Sequence, residues 1–234
     1  MSLAFILLQA TGITEVGEAA SAATSTSAHQ SIPVFSLILK GGFVMLPIFI
    51  LLVITLYVFF QKYLMINNAG KLPENFISKL NQLILNGQVS EAKIHVGNAE
   101  TPIAKVLAKG VSRLGKPIKD IEASMENTAK IEIGKLEKNV GILGIVSGIA
   151  PMFGFIGTII GVISIFYDIS LQGEISIGGV ADGLYQKMVT SASGLVVGII
   201  SHLGHHIINL KLDSVIRKIE VTSIEFIDLL QENK

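Results

Sequence analysis

The sequence predicts an all-α fold: three transmembrane helices, with long helices that extend into a cytoplasmic helical domain. Three observations carry that prediction. Half of the 234 residues are apolar and only 15% are charged, and the mean hydropathy of +0.62 suits a bilayer better than water. Three segments are long and apolar enough to cross about 30 Å of hydrocarbon. Basic residues also concentrate between the first two segments, where twelve of the eighteen lysines and arginines lie from Lys62 to Lys138. The formal net charge is zero, so no global charge calls for nucleic acid. With no cysteine in the chain, disulfides and thiolate metal sites are excluded.

In chain order, residues 1–31 begin "MSLAFILLQA", an apolar run too short to span and without the basic start of a secretory signal. "GEAASAATSTSAHQ" follows, small, polar and low in complexity. The reading is a flexible periplasmic arm, with a signal segment as the alternative. Residues 32–61 hold an amphipathic lead-in and the first span, "GGFVMLPIFILLVITLYVFF" from Gly41 to Phe60. Residues 62–139 form the helical domain. "PENFISKLNQLILNGQVSEAKIHVG" and "TPIAKVLAKGVSRLG" carry apolar positions at helical spacing and end in glycine. "PIKDIEASMENTAKIEIGKLEKNV" then runs towards the second span, 140–166, without another proline. A link covers 167–182. The third span, 183–210, is the least apolar, and 211–234 is an amphipathic tail with Ile216, Ile219, Ile224, Ile227 and Leu230 available for packing. Because basic residues favour the cytoplasmic side, the N-terminus and the link are placed outside, and 62–139 and the C-terminus inside, in a multi-pass membrane protein.

Apolar helices gain little by hiding from lipid, so close packing and hydrogen bonds must hold them together. Gly144 and Gly148 form one GxxxG pair and Gly157 and Gly161 another, with Pro151 and Gly154 between. Gly194 and Gly198 repeat the spacing in the third span. These pairs predict a tightly packed bundle or oligomer. On the third span Lys187, Ser191, Gly194, Gly198, Ser201, His202 and His205 share a stripe about 100° wide, with Thr190 at its edge. Such a stripe lines a hydrated path, or its hydroxyls bond their own helix carbonyls. The uncharged cores of the spans hold no Asp or Glu; Glu137, Asp168 and Asp182 sit at or beyond the ends. A proton path here therefore needs a titrating acid from another chain. "HLGHH", His202 to His206, has the HxxHH spacing of a membrane metalloenzyme's histidine box. Only His29 and His95 remain elsewhere, too few for the further boxes such a site requires, so no metal site is assigned. A position near the cytoplasmic boundary, where imidazole relays protons, is the favoured reading.

"APMFGFIGTIIGVISIF" and "GLYQKMVTSASGLVVGI" resemble the second- and third-span signatures of the ExbB/TolQ/MotA family of proton-channel subunits, the ExbB branch above all. The resemblance runs from about residue 35 to 225. It aligns Thr158 with the family's second-span threonine and Ser191, not Thr190, with its third-span threonine. Gln61, Ile200 and His205–His206 depart from the family's Glu, Pro and Tyr-Asn. The resemblance implies a pentameric ring, an ExbD-like single-span partner supplying an intramembrane Asp, and a TonB-like protein, all powered by proton motive force with no cofactor and no enzymatic step. On this reading Thr158, Ser191, Thr190, Ser201 and His205 line the path, while Pro151, Gly154, Gly157, Gly161, Gly194 and Gly198 pack the helices. A TolQ-like role is the sibling alternative. A histidine-box metalloenzyme and a purely structural scaffold are the readings from other classes.

Overall fold

Two units divide the chain, 1–37 and 38–234. The computed structural model describes residues 43–173 and 176–232, all within the second unit. The expected arm, the lead-in and the first residues of the first span fall outside the described residues. Seven helices follow: α1 (Met45–Ala69), α2 (Phe76–Leu85), α3 (Val89–Gly97), α4 (Pro102–Ser112), α5 (Ile118–Glu137), α6 (Gly141–Gln172) and α7 (Ile177–Glu232). The described residues contain no strand. Three helical stretches, in α1, α6 and α7, are long and apolar enough to cross a membrane.

Local chemistry sets the breaks. Gly87 at φ +72° separates α2 from α3, a left-handed conformation that costs glycine nothing. Thr101 caps α4, accepting from the Ala104 amide at 3.4 Å with Pro102 in the first turn, and Gly115 at φ +89° follows that helix. The stretch from Pro117 towards the second span, expected to run on unbroken, turns at Asn139, φ +67°. Asparagine tolerates this region better than other residues with a side chain. The expected link also shrinks. α6 continues to Gln172 and α7 starts at Ile177, although Gly178, Gly179 and Asp182 are poor helix formers. Gly173 at φ +67° ends α6, and the Ser176 hydroxyl caps α7 by accepting from the Gly179 amide at 3.3 Å. Beyond that cap α7 is continuous for 56 residues, about 84 Å, with no break between the third span and the tail.

The larger core lies mostly beyond the spans and reaches into their ends at Val58, Leu143 and Ile208. Ile66 of α1, Leu80 of α2, Val96 of α3, Leu107 of α4 and Met125 of α5 are buried with Ile208, Ile219 and Phe226 of α7. α4 sits so close that a Cβ on Gly110 would fall 2.6 Å from Met125 Sδ and 2.7 Å from Phe226 Cε1. Of the tail residues expected to pack, Ile219 and Ile227 are buried, but Ile224 is 60% exposed. The buried stripe instead follows Leu212, Val215, Ile219, Thr222 and Phe226, spaced three and four apart.

At the turn between α5 and α6 the Val140 amide donates to the Glu137 carbonyl, leaving the Leu136 carbonyl among the orphans of the α5 C-terminus. Lys62 of α1, 5% exposed, fills that vacancy by donating Nζ to Leu136 O at 3.3 Å. The substitution Lys62→Met keeps most of the stem and strands the carbonyl. It is expected to lower stability by about 1–3 kcal/mol in thermal unfolding of the solubilised chain, and an unchanged midpoint would show that the contact contributes nothing.

Candidate pore-lining seam

α6 and α7 run antiparallel, joined only through 173–176, and meet along their smallest residues. A Cβ on Gly194 would stand 2.6 Å from the Ala150 carbonyl oxygen and 2.9 Å from Gly154 Cα, and one on Gly154 would stand 2.9 Å from the Ser191 carbonyl oxygen. These neighbours are backbone and cannot step aside. A Cβ on Gly198 would meet Pro151 Cγ at 2.6 Å and the Ser147 carbonyl oxygen at 3.1 Å. Pro151 has no N–H, so that carbonyl has no helical donor. Gly157 receives the Thr190 methyl, 2.9 Å from its would-be Cβ, and Gly161 lies beneath the methylene stem of Lys187. All six packing positions read from the sequence meet at this seam. Of the Gly144–Gly148 pair, Gly144 meets the His205 ring of α7 at 3.5 Å from its would-be Cβ, whereas Gly148 has nothing within 4 Å.

α1 closes one flank of the seam. Ile48 packs with Val146, Ala150 and Val197, and Phe59 rests on Gly204. Thr55 donates to the Ser201 hydroxyl at 3.4 Å, and Ser201 donates to the Leu143 carbonyl at 2.8 Å. This chain ties all three membrane helices together with every hydroxyl buried. Sequence reasoning passed over Thr55, although a lone threonine in an otherwise apolar span was a visible signal.

The other flank is not covered by α1, and the residues read as a path divide between the two. Thr158 is half-buried, its hydroxyl donating to the Phe155 carbonyl at 2.6 Å. Ser191, also half-buried, lies across the seam against Gly154. Its hydroxyl makes no hydrogen bond among the described residues. His205, half-buried, lays its ring over Gly144 and meets the Asn209 amide at 3.3 Å. Thr190 and Ser201 are fully buried instead, Thr190 bonding the Gln186 carbonyl at 3.4 Å. Ser191 thus lies against Gly154, one helical turn from Thr158, His205 lies further along the same seam, and Thr190 and Ser201 are buried behind it. His202 and His206 point outward, exposed, and no three metal-ligating side chains converge among the described residues.

A family model described as the MotA/TolQ/ExbB proton channel family matches residues 98–221, which take in α4 to α6 and α7 as far as Val221. An ExbB homolog from Methanothermobacter thermautotrophicus is 27% identical over 145 residues, 62% of this chain and 51% of that protein. An ExbB-like protein from Synechocystis is 24% identical over 173 residues, 70% of this chain and 66% of that protein. The biopolymer transport protein ExbB of Helicobacter pylori is 32% identical over 91 residues, 39% of this chain and 58% of that protein. The chain therefore spans about half to two thirds of the length of these relatives.

Two substitutions test the seam. Gly194→Ala sets a methyl against backbone and should lower the thermal midpoint of the solubilised protein. Gly148→Ala, with open space around it and a helix-propensity gain of up to about 1 kcal/mol, should not; equal behaviour of the two variants would refute the close approach. Ser201→Ala breaks the buried chain of hydroxyls and should cost about 0.6 kcal/mol, at most about 1.7, by equilibrium unfolding in mixed micelles.

Proposed function

The chain belongs to the MotA/TolQ/ExbB proton channel family, and we propose that it is an ExbB-like subunit of a motor driven by proton motive force in the inner membrane. In this proposal it assembles as a pentamer, holds an ExbD-like single-span partner, and energises outer-membrane transport through a TonB-like protein. The family is one of channel subunits, not enzymes. The orientation, N-terminus outside and C-terminus inside, rests on the twelve basic residues between Lys62 and Lys138.

The observation that carries the proposal is a pair of half-buried hydroxyls at the seam, Ser191 against Gly154 and Thr158 one helical turn on, in spans that hold no carboxylate. The two hydroxyls differ in what they offer. Thr158 spends its hydrogen on the Phe155 carbonyl and presents lone pairs, so it accepts the O–H of a protonated acid. The hydrogen of Ser191 has no partner among the described residues, so it can donate to an ionised one. A partner carboxyl between them finds a hydrogen bond in either protonation state. An ionised acid at mid-membrane costs about 2.5–3.5 kcal/mol, and a potential of about 100 mV supplies about 2.3 kcal/mol per charge. The two are comparable, so each proton can switch the partner between preferring and avoiding the apolar wall. His205, further along the seam, is the proposed relay at the inner end. Thr190 and Ser201 act from behind, as packing. A TolQ-like role rests on the same geometry, and the identity of the copurifying single-span protein separates the two.

Thr158→Val keeps the shape and removes the acceptor. Losing a hydrogen bond of about 1–1.5 kcal/mol should slow proton-driven uptake roughly tenfold while the complex still copurifies. Ser191→Ala should act in the same direction. Full activity in Thr158→Val, or proton conduction by this chain without a partner, would sink the reading.

A further inference from the structure

Away from the seam, the end of α1 and the facing stretch of α7 enclose a cavity of about 220 Å³ whose polar wall is Asn67, Lys71, Lys211, Ser214 and Lys218. Three ammonium groups share it and no carboxylate lines it. None of the three lysines forms an ion pair among the described residues. Two of them are held in place across the gap: Lys211 donates to Asn67 Oδ1 at 3.2 Å and stands 4.3 Å over the Tyr63 ring, and Lys218 donates to the Gly70 carbonyl at 3.3 Å. Lys71 donates to Asn68 at 3.4 Å. An ammonium has three hydrogens, so each keeps donors for something else. Three unpaired cations around one small cavity repel each other unless an anion joins them.

The surface above the cavity narrows what that anion is. Val53, Leu56, Tyr57, Phe60 and Leu64 of α1 form a shallow, almost wholly apolar concavity. Their spacing of three and four residues continues to Asn67, so the apolar strip of α1 runs up to the edge of the cationic cavity, with Lys71 just past the end of the helix. A free phosphate would use the lower part alone. A molecule with an anionic phosphate at one end and two hydrocarbon chains at the other uses both.

We propose that this cavity binds the headgroup phosphate of an anionic membrane phospholipid, of which phosphatidylglycerol is the simplest, with its acyl chains along the α1 strip. Basic pockets between membrane helices are suited to such headgroups. The lipid would cover the join where the end of α1 leans on α7, Gly70 against Val215. The site is distinct from the proton path and stands whether or not that path is as proposed.

The test is native mass spectrometry of the full chain after exchange into phosphatidylglycerol or into phosphatidylcholine with the same acyl chains. Wild type should retain phosphatidylglycerol preferentially, with affinity falling roughly fivefold for each lysine removed in K71Q, K211Q and K218Q and kept when the same positions become arginine. Inorganic phosphate should not displace it. Equal retention of the two lipids, unchanged retention in the triple glutamine variant, or displacement by inorganic phosphate would overturn the proposal. So would a strip covered by a second copy with no lipid bound. If the triple variant fails to fold, the comparison of the two lipids on wild type still decides.

Discussion

The closeness of two backbones, at Gly154 and Gly194, is the constraint on which the rest of the structure depends. At that crossing a single methyl would enter the van der Waals radius of a carbonyl oxygen. Everything nearby is fitted to the resulting separation: the Thr190 methyl in the notch of Gly157, the Pro151 ring against Gly198, the Lys187 stem across Gly161. In a hydrocarbon solvent, where apolar side chains gain nothing by meeting, contact of this kind and the hydrogen bonds it permits are what association consists of. A wider crossing would also draw Thr158 and Ser191 apart, so packing and chemistry share one dimension.

α1 gives the hairpin two unlike sides. Towards α1 the hydroxyls of Thr55 and Ser201 are consumed within the protomer, each buried and bonded. On the opposite side the hydroxyls and the His205 ring are left half-buried. A bundle with both flanks finished would be a stable anchor and nothing more. An unfinished polar flank is costly against lipid, which favours its being covered by another protein surface.

Much of this was legible in sequence, for identifiable reasons. Spans announce themselves because hydrocarbon forbids charge over about twenty residues, and glycine spacing marked the seam because only glycine admits such an approach. What escaped were features that depend on rotation about a helix axis or on a distant partner. Thr190 and Ser191 are adjacent, yet one is sealed inside and the other sits at the edge; a stripe 100° wide does not resolve them. The Asn139 turn was hidden because a single left-handed asparagine leaves the surrounding helical pattern intact. Lys62 looked like an ordinary boundary cation until its carbonyl partner, 74 residues away, was in view. Gly148 shows the converse, half of a motif present in sequence with nothing packed against it among the described residues.

The unbroken course of α7 carries a mechanical implication. Its N-terminal half bears Ser191, against Gly154 at the seam, and its C-terminal end is embedded among α4 and α5 through Phe226. With no hinge along roughly 84 Å, the element behaves as a lever whose fulcrum is the glycine crossing. A rocking of about 5° there would carry a point some 50 Å along the rod through about 4 Å. Events at the depth of a single side chain would thus be legible far out in the aqueous compartment, without any signal having to pass from residue to residue.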